Sequence, residues 1–268
     1  MLIDLTGHLP VSLAMLDGIF KAPDAAEIAR TSFRWLHFVA GITWIGLLYF
    51  FNLVNVPLQK KLDADTKKKV NPDLLLPALW FFRWGAVVTV LAGLAYFAMY
   101  ILKTDVNNAN NLGGGHVNLW VMLLYWLGYP ILLFLIEFLI IKKVPALIKD
   151  GRVFAIVMII LTAVFTYGLL KFFPAMLTAG GQDWASNKTL SIGVGGAYGI
   201  VMMLNVWGII WPANKRIIAG LQGGPPAATE LARQAFIASR TNAWLSLPLL
   251  LLMATSHGDW LIFSGRSQ

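Results

Sequence analysis

The sequence predicts an all-α fold, an integral membrane bundle of about six transmembrane helices forming one domain over residues 1–268. Three observations carry that prediction. Of the 268 residues, 58% are hydrophobic and only 13% are charged, about half the charged share of a soluble globular chain. The apolar residues gather into six runs, each long enough at about 1.5 Å per residue to cross a hydrocarbon core of roughly 30 Å. Basic residues concentrate in alternate connections between those runs.

The runs are Ser32–Val56, Pro77–Leu102, Val117–Ile141, Arg152–Phe173, Thr189–Trp211 and Asn242–Phe263. Helices are the only fit. Lipid cannot satisfy open backbone groups, and no ten-residue alternating strand pattern occurs. Leu9–Phe20 is apolar but too short to span. It lacks the basic flank and small-residue cleavage site of a signal peptide, so it is expected to lie along the surface within an outer N-terminal segment, residues 1–31. Eleven Trp residues suit the membrane–water boundary, where the ring is apolar and its N–H is wet.

Charge sets the orientation. The first connection carries Lys60, Lys61, Lys67, Lys68 and Lys69. The third carries Lys142, Lys143, Lys149 and Arg152, and the fifth Lys215, Arg216 and Arg233. Connections two and four are poor in bases. The positive-inside rule puts the odd connections in the cytoplasm. Six spans then leave both termini on the outer, periplasmic side of a bacterial inner membrane. The net charge of +8 is explained by these connections and implies a lipid partner, with no nucleic acid expected. The chain has no Cys, which excludes disulfides, cysteine-ligated iron–sulfur clusters and covalently attached haem c.

All four histidines, His8, His37, His116 and His257, fall on the outer side of this topology. His37 in span one and His257 in span six are expected at matched depth, about 8–9 Å inside the outer boundary by helix rise. Imidazoles so placed either ligate a haem iron from both faces or hydrogen-bond to neighbours. Arg34, three residues before His37 on the same helix face, either forks onto a haem propionate or snorkels to the boundary. If His257 proves too exposed, His116 is the substitute, because it opens the third span on the same side.

Four stretches carry a family resemblance. Arg34-Trp35-Leu36-His37, continuing through Gly41-Ile42-Thr43-Trp44-Ile45-Gly46, resembles the first helix of the membrane-bound, cytochrome-c-linked urate oxidases (urate hydroxylases). Trp80-Phe81-Phe82-Arg83-Trp84 with Leu91-Ala92-Gly93 is similar to their second core helix. Asn205-Val206-Trp207, Pro212 and Lys215-Arg216 match their Asn-Val…Pro…basic stretch. Asn242 through Pro248, then Met253 and Ser256-His257, resembles their final helix. The matches run in family order over most of the chain.

The resemblance implies the fold and a redox role. In that role a non-covalent haem b sits near the outer face, with His37 and His257 as metal ligands, and electrons pass to an external carrier such as a c-type cytochrome. The family's cytochrome c domain has no counterpart before Gln268, so a separate carrier or other membrane subunits are expected as partners. Several polar positions differ. The family's Trp-Glu is Trp84-Gly85 here, its His before the last-helix Asn is Thr241, and its His-Gly-Gly-Gly stretch is replaced by the lysine-rich connection. These losses keep open an alternative, an accessory or structural subunit of a larger respiratory complex.

The remaining polar residues have plainer readings. Arg83 and Glu137, inside spans near the lysine-rich end, either belong to a polar pathway or snorkel toward that surface, and snorkelling is the expectation. Asn52, Asn55 and Asn205 read as interhelical hydrogen-bond partners. Ser191, Gly195 and Gly199 recur every four residues, a small-residue stripe for close helix approach or for a flat cofactor. Gly193-Val194-Gly195-Gly196 lies within an apolar span, without the strand–turn–helix context of a dinucleotide loop. Tyr125, Trp126, Tyr129 and Pro130 read as packing around a kinked third helix.

Overall fold

A computed structural model describes residues 23–257, 262 and 263. His8 and the Leu9–Phe20 segment lie outside the described residues. Among the described residues six helices are long and apolar enough to cross a membrane. They are α1 (Ala25–Lys61), α2 (Ala64–Asn111), α3 (Leu119–Lys143), α4 (Gly151–Leu177), α5 (Asn187–Leu221) and α6 (Thr229–Thr255). A short helix, Pro145–Lys149, joins α3 to α4. A two-stranded antiparallel hairpin, β1 (Thr178–Ala179) and β2 (Gln182–Asp183), joins α4 to α5.

Most helix starts are written in the sequence. Asp24 and Glu27 form a reciprocal capping box on α1, Asp63 caps α2, Asn118 caps α3, Asp150 caps α4 and Ser186 caps α5. Each side-chain oxygen accepts a first-turn N–H that would otherwise lack a partner. Three helices carry a π-helical stretch, at Phe50–Asn55, Phe97–Leu102 and Val206–Ile210. Such stretches widen a helix locally and often adjoin functional sites.

Side-chain bonds fix the register. His37 meets Thr89 while Gln59 meets Asn71, so α1 and α2 run antiparallel. Tyr49 meets Ser246 and Asn52 meets Ser239, setting α1 antiparallel to α6. Asn187 reaches Thr255 and Asn205 reaches Asn242, setting α5 antiparallel to α6. Trp126 reaches Gly193 and Asn205 reaches Glu137, so α3 and α5 run parallel. The basic residues of the odd connections therefore share one end of the bundle. Helix α5 is the central element: 67% of its most apolar window is buried, against 17% for α1 and for α4. Large apolar side chains such as Leu53, Leu124 and Ile159 face outward, as suits a lipid surrounding.

One expectation needs correction, at the end of the sixth span; the lysine-rich first connection is almost wholly helical. Its lysines complete the last turn of α1 and the first turns of α2, and only Leu62 and Asp63 lie between the helices. The sixth span ends early, at Thr255. The Ser256 hydroxyl donates to Met253 O at 2.7 Å, satisfying a terminal carbonyl, and His257 follows on a turn. His257 is therefore exposed and lies two residues beyond the helix rather than inside it.

Candidate functional site

The end of the bundle opposite the lysines is hollow. A cavity of about 610 Å³ lies between α1, α2, α3, α5 and α6, within the size range of small-molecule and cofactor sites. Its walls are mostly apolar, and six glycines line it: Gly41, Gly46, Gly93, Gly195, Gly196 and Gly199. A methyl group built on Gly46 would meet no atom within 4 Å, so the cavity opens directly on that backbone.

Three sequence-predicted residues converge there. Arg34, His37 and His257 all line the cavity. His37 is half-buried, and its Nδ1 lies 2.8 Å from Thr89 O on α2. A carbonyl can only accept, so Nδ1 carries the hydrogen, and in the neutral imidazole Nε2 keeps its lone pair. Gly93 is the other half of that seat: a Cβ there would stand 2.6 Å from His37 Nδ1. Exposed Arg34 and His257 sit where the cavity meets the surface. The His257 Nδ1 is 2.8 Å from the Ser256 hydroxyl. Partial burial, then the positive charges of Arg34 and Lys188, hold the His257 imidazole below its ordinary pKa. His116 is exposed in the connection before α3 and is not among the residues lining the cavity.

Two further groups had not been singled out for the site from sequence. Trp44 Nε1 and Thr89 Oγ1 belong to cavity-lining residues, are buried, and lack a hydrogen-bond partner. Buried polar groups are normally satisfied; these two are exceptions, and neither atom is exposed to the cavity. The signal for Trp44 was available, since it lies seven residues after His37 on one helix face. Of the small-residue stripe, Gly195 and Gly199 face the cavity, whereas Ser191 turns to Asn187 Oδ1 at 3.2 Å. Trp126 also lines the cavity, and its indole donates to Gly193 O at 2.9 Å.

The polar residues of the other half divide. Glu137 does not snorkel; it is 0% exposed, because α5 and α6 supply polar partners in the interior. Its Oε2 accepts from Asn205 Nδ2 at 3.0 Å. Arg83 is half-buried and lays its guanidinium 4.0 Å from the Trp211 ring centre. Asn52 and Asn205 bridge helices as expected. Asn55 instead accepts from Gln59 on its own helix at 3.1 Å.

A lipid-embedded helical bundle with a glycine-walled cavity, imidazoles at its wall and mouth and a guanidinium beside them defines a class: polytopic membrane proteins with an internal cavity. The sequence comparison gives the family. The model of the urate oxidase N-terminal family matches residues 23–266, and the chain belongs to that family. No curated protein and no solved structure matches it.

Proposed function

We propose that this chain is a membrane redox protein that holds a non-covalent haem b in the cavity, with His37 and His257 as axial ligands and Arg34 pairing with a propionate. The supporting observation is the convergence of these three residues on one glycine-walled cavity. Glycines give a flat macrocycle room to approach the backbone. The Thr89 carbonyl fixes the His37 tautomer and leaves Nε2 available, the second-sphere arrangement that metal-ligating imidazoles use. Apolar walls exclude water and Arg34 neutralises a carboxylate at the mouth. When bound, haem supplies one-electron exchange, here with an external carrier such as a c-type cytochrome or with neighbouring membrane subunits.

The visible spectrum of the purified protein tests this reading. A Soret band that shifts on reduction is expected. It should be abolished in His37→Ala and retained in His8→Ala. A featureless spectrum, before and after haem addition, would favour the accessory-subunit reading.

The orientation belongs to the same proposal. With the lysine-rich end in the cytoplasm of a bacterial cell, the cavity mouth and both termini face outward. Cysteines placed singly at Lys68 and Gly114 check it with an impermeant label. Gly114→Cys should react from outside and Lys68→Cys should not; equal or inverted reactivity would overturn the orientation.

A further inference from the structure

The filled half of the bundle contains a carboxyl group that the haem reading does not use. Glu137 is 0% exposed. Among the described residues no basic side chain pairs with it, and four on the surrounding elements make other contacts. Lys142 donates to Gln234 Oε1 at 2.7 Å, Arg233 to Ile148 O at 2.8 Å, Arg240 stacks on Phe236 and Arg83 on Trp211. An ionised carboxylate here would be a buried charge without a counter-ion, a costly state.

The hydrogen bonds say what is missing. Asn205 Nδ2 donates to Glu137 Oε2 at 3.0 Å and to Asn242 Oδ1 at 3.0 Å. The remaining oxygens of the first pair, Glu137 Oε1 and Asn205 Oδ1, are both buried and neither accepts a well-formed hydrogen bond; the Thr241 hydroxyl beside the carboxyl donates instead to Ile237 O at 3.1 Å. Each of those two oxygens is an acceptor while the carboxyl is ionised. One proton on Oε1 makes that atom a donor, and the two unpartnered groups become complementary as an acid–amide pair.

Further polar side chains lie between this pair and the cavity end of the bundle. Asn242 donates to Met202 O at 2.9 Å and holds Asn205. One helical turn further along α6 is Ser246, whose hydroxyl lies 2.9 Å from the Tyr49 hydroxyl. Tyr49 follows cavity-lining Gly46 by three residues, and Ser246 precedes cavity-lining Leu249 by three. Asn205 itself abuts the π-helical stretch Val206–Ile210.

We propose that Glu137 is a proton-binding site, a neutral carboxylic acid paired with the Asn205 amide, that exchanges its proton with the cavity by way of Ser246 and Tyr49. The O–H bond of Glu137 breaks as the proton leaves and re-forms when one returns; no electron moves. Asn205 and Asn242 hold the acid in place, and the two hydroxyls pass the proton on. The site goes beyond the haem reading and does not depend on it.

Infrared spectroscopy of the full-length protein in detergent tests the proposal. The chain has three glutamates, Glu27, Glu137 and Glu230, so 13C-glutamate labelling separates their bands from those of aspartate. At neutral pH a protonated-acid C=O stretch is expected. It should move on labelling, vanish in Glu137→Gln and shift down in D2O. In the Tyr49→Phe, Ser246→Ala double variant the band should keep its amplitude while its deuterium exchange slows several-fold. Absence of a glutamate acid band, or exchange equally fast in the double variant, would overturn the proposal. The measurement needs no haem, so failure of the cofactor reading is told apart by the visible spectrum alone.

Discussion

The same helices build two unlike halves. Toward the lysine-rich end, α1, α2, α3, α5 and α6 are joined by side-chain hydrogen bonds. Gln59 exchanges two bonds with Asn71, Asn52 holds Ser239, and Asn205 joins Glu137 to Asn242. At the other end the facing positions are largely glycine and apolar, and the helices leave a cavity. In lipid there is little hydrophobic drive between helices, so packing and interhelical hydrogen bonds carry association. The difference teaches that stability and binding are divided along the membrane normal. The bonded half fixes the helix crossings, and those crossings hold the glycine half open.

The sharpest way to break that comparison is to add one methyl group at two cavity glycines. In Gly93→Ala the new Cβ would stand 2.6 Å from His37 Nδ1 and 2.7 Å from its Cε1. The imidazole must move and its bond to Thr89 O is lost. Overpacking of this kind costs about 1–3 kcal/mol, and haem retention should fall with it. Gly46→Ala meets nothing within 4 Å and gains helix propensity of up to about 1 kcal/mol, so it should melt no lower than the parent. Thermal unfolding in detergent, read beside the visible spectrum, distinguishes the two. Equal effects would mean that the cavity wall is not where the structure puts it.

A second variant tests the bonded half. Asn205→Leu removes both amide bonds at the crossing of α3, α5 and α6 and orphans buried oxygens on Glu137 and Asn242. Each group so stranded costs about 1–3 kcal/mol. Unfolding should shift down while the haem spectrum of the folded fraction stays as in the parent. A normal melting temperature with an altered spectrum would reverse the division of labour.

Much of this was legible in the sequence because membrane solvent imposes simple rules. Apolar length gave six helices, and alternating charge gave the shared basic end. The order of short motifs pointed to a family that the match over residues 23–266 bears out. His37 and Arg34 could be placed together because residues three apart on one helix share a face, and Gly195 and Gly199 stood out as a small-residue stripe. Two features were hidden. The end of α6 at Thr255 is set by the Ser256 hydroxyl, a local competition that hydropathy does not see. The burial of Glu137 depends on Asn205 and Asn242, which lie far away in sequence and acquire meaning only at a three-helix crossing. Thr89 and Gly93 were likewise invisible as His37's seat, since nothing in α2 alone names the ring that rests there.

The smallest expected effect lies at the tip of the bonded half. Asp63 caps α2 at the tight turn from α1, accepting from the backbone N–H of Asp65 and of Thr66 at 2.9 Å each and from the Thr66 hydroxyl at 2.7 Å. The bond from the Thr66 backbone, followed by that from its hydroxyl, holds the Asp63 carboxyl below its ordinary value. A carboxylate with a depressed folded-state pKa adds stability above its unfolded value, and that stability is lost as pH falls through the folded one. The side chain is fully exposed, so solvent screens the effect. Asp63→Asn keeps a capping oxygen but removes the ionisation. It should lower the melting temperature slightly at neutral pH and not at all once the pH lies below the folded-state value. Because the turn lies at the end remote from the cavity, the visible spectrum should be unchanged at both pH values. A spectral change in this variant would show that the two halves are coupled through α1 and α2, and that the bonded half does more than hold the cavity open.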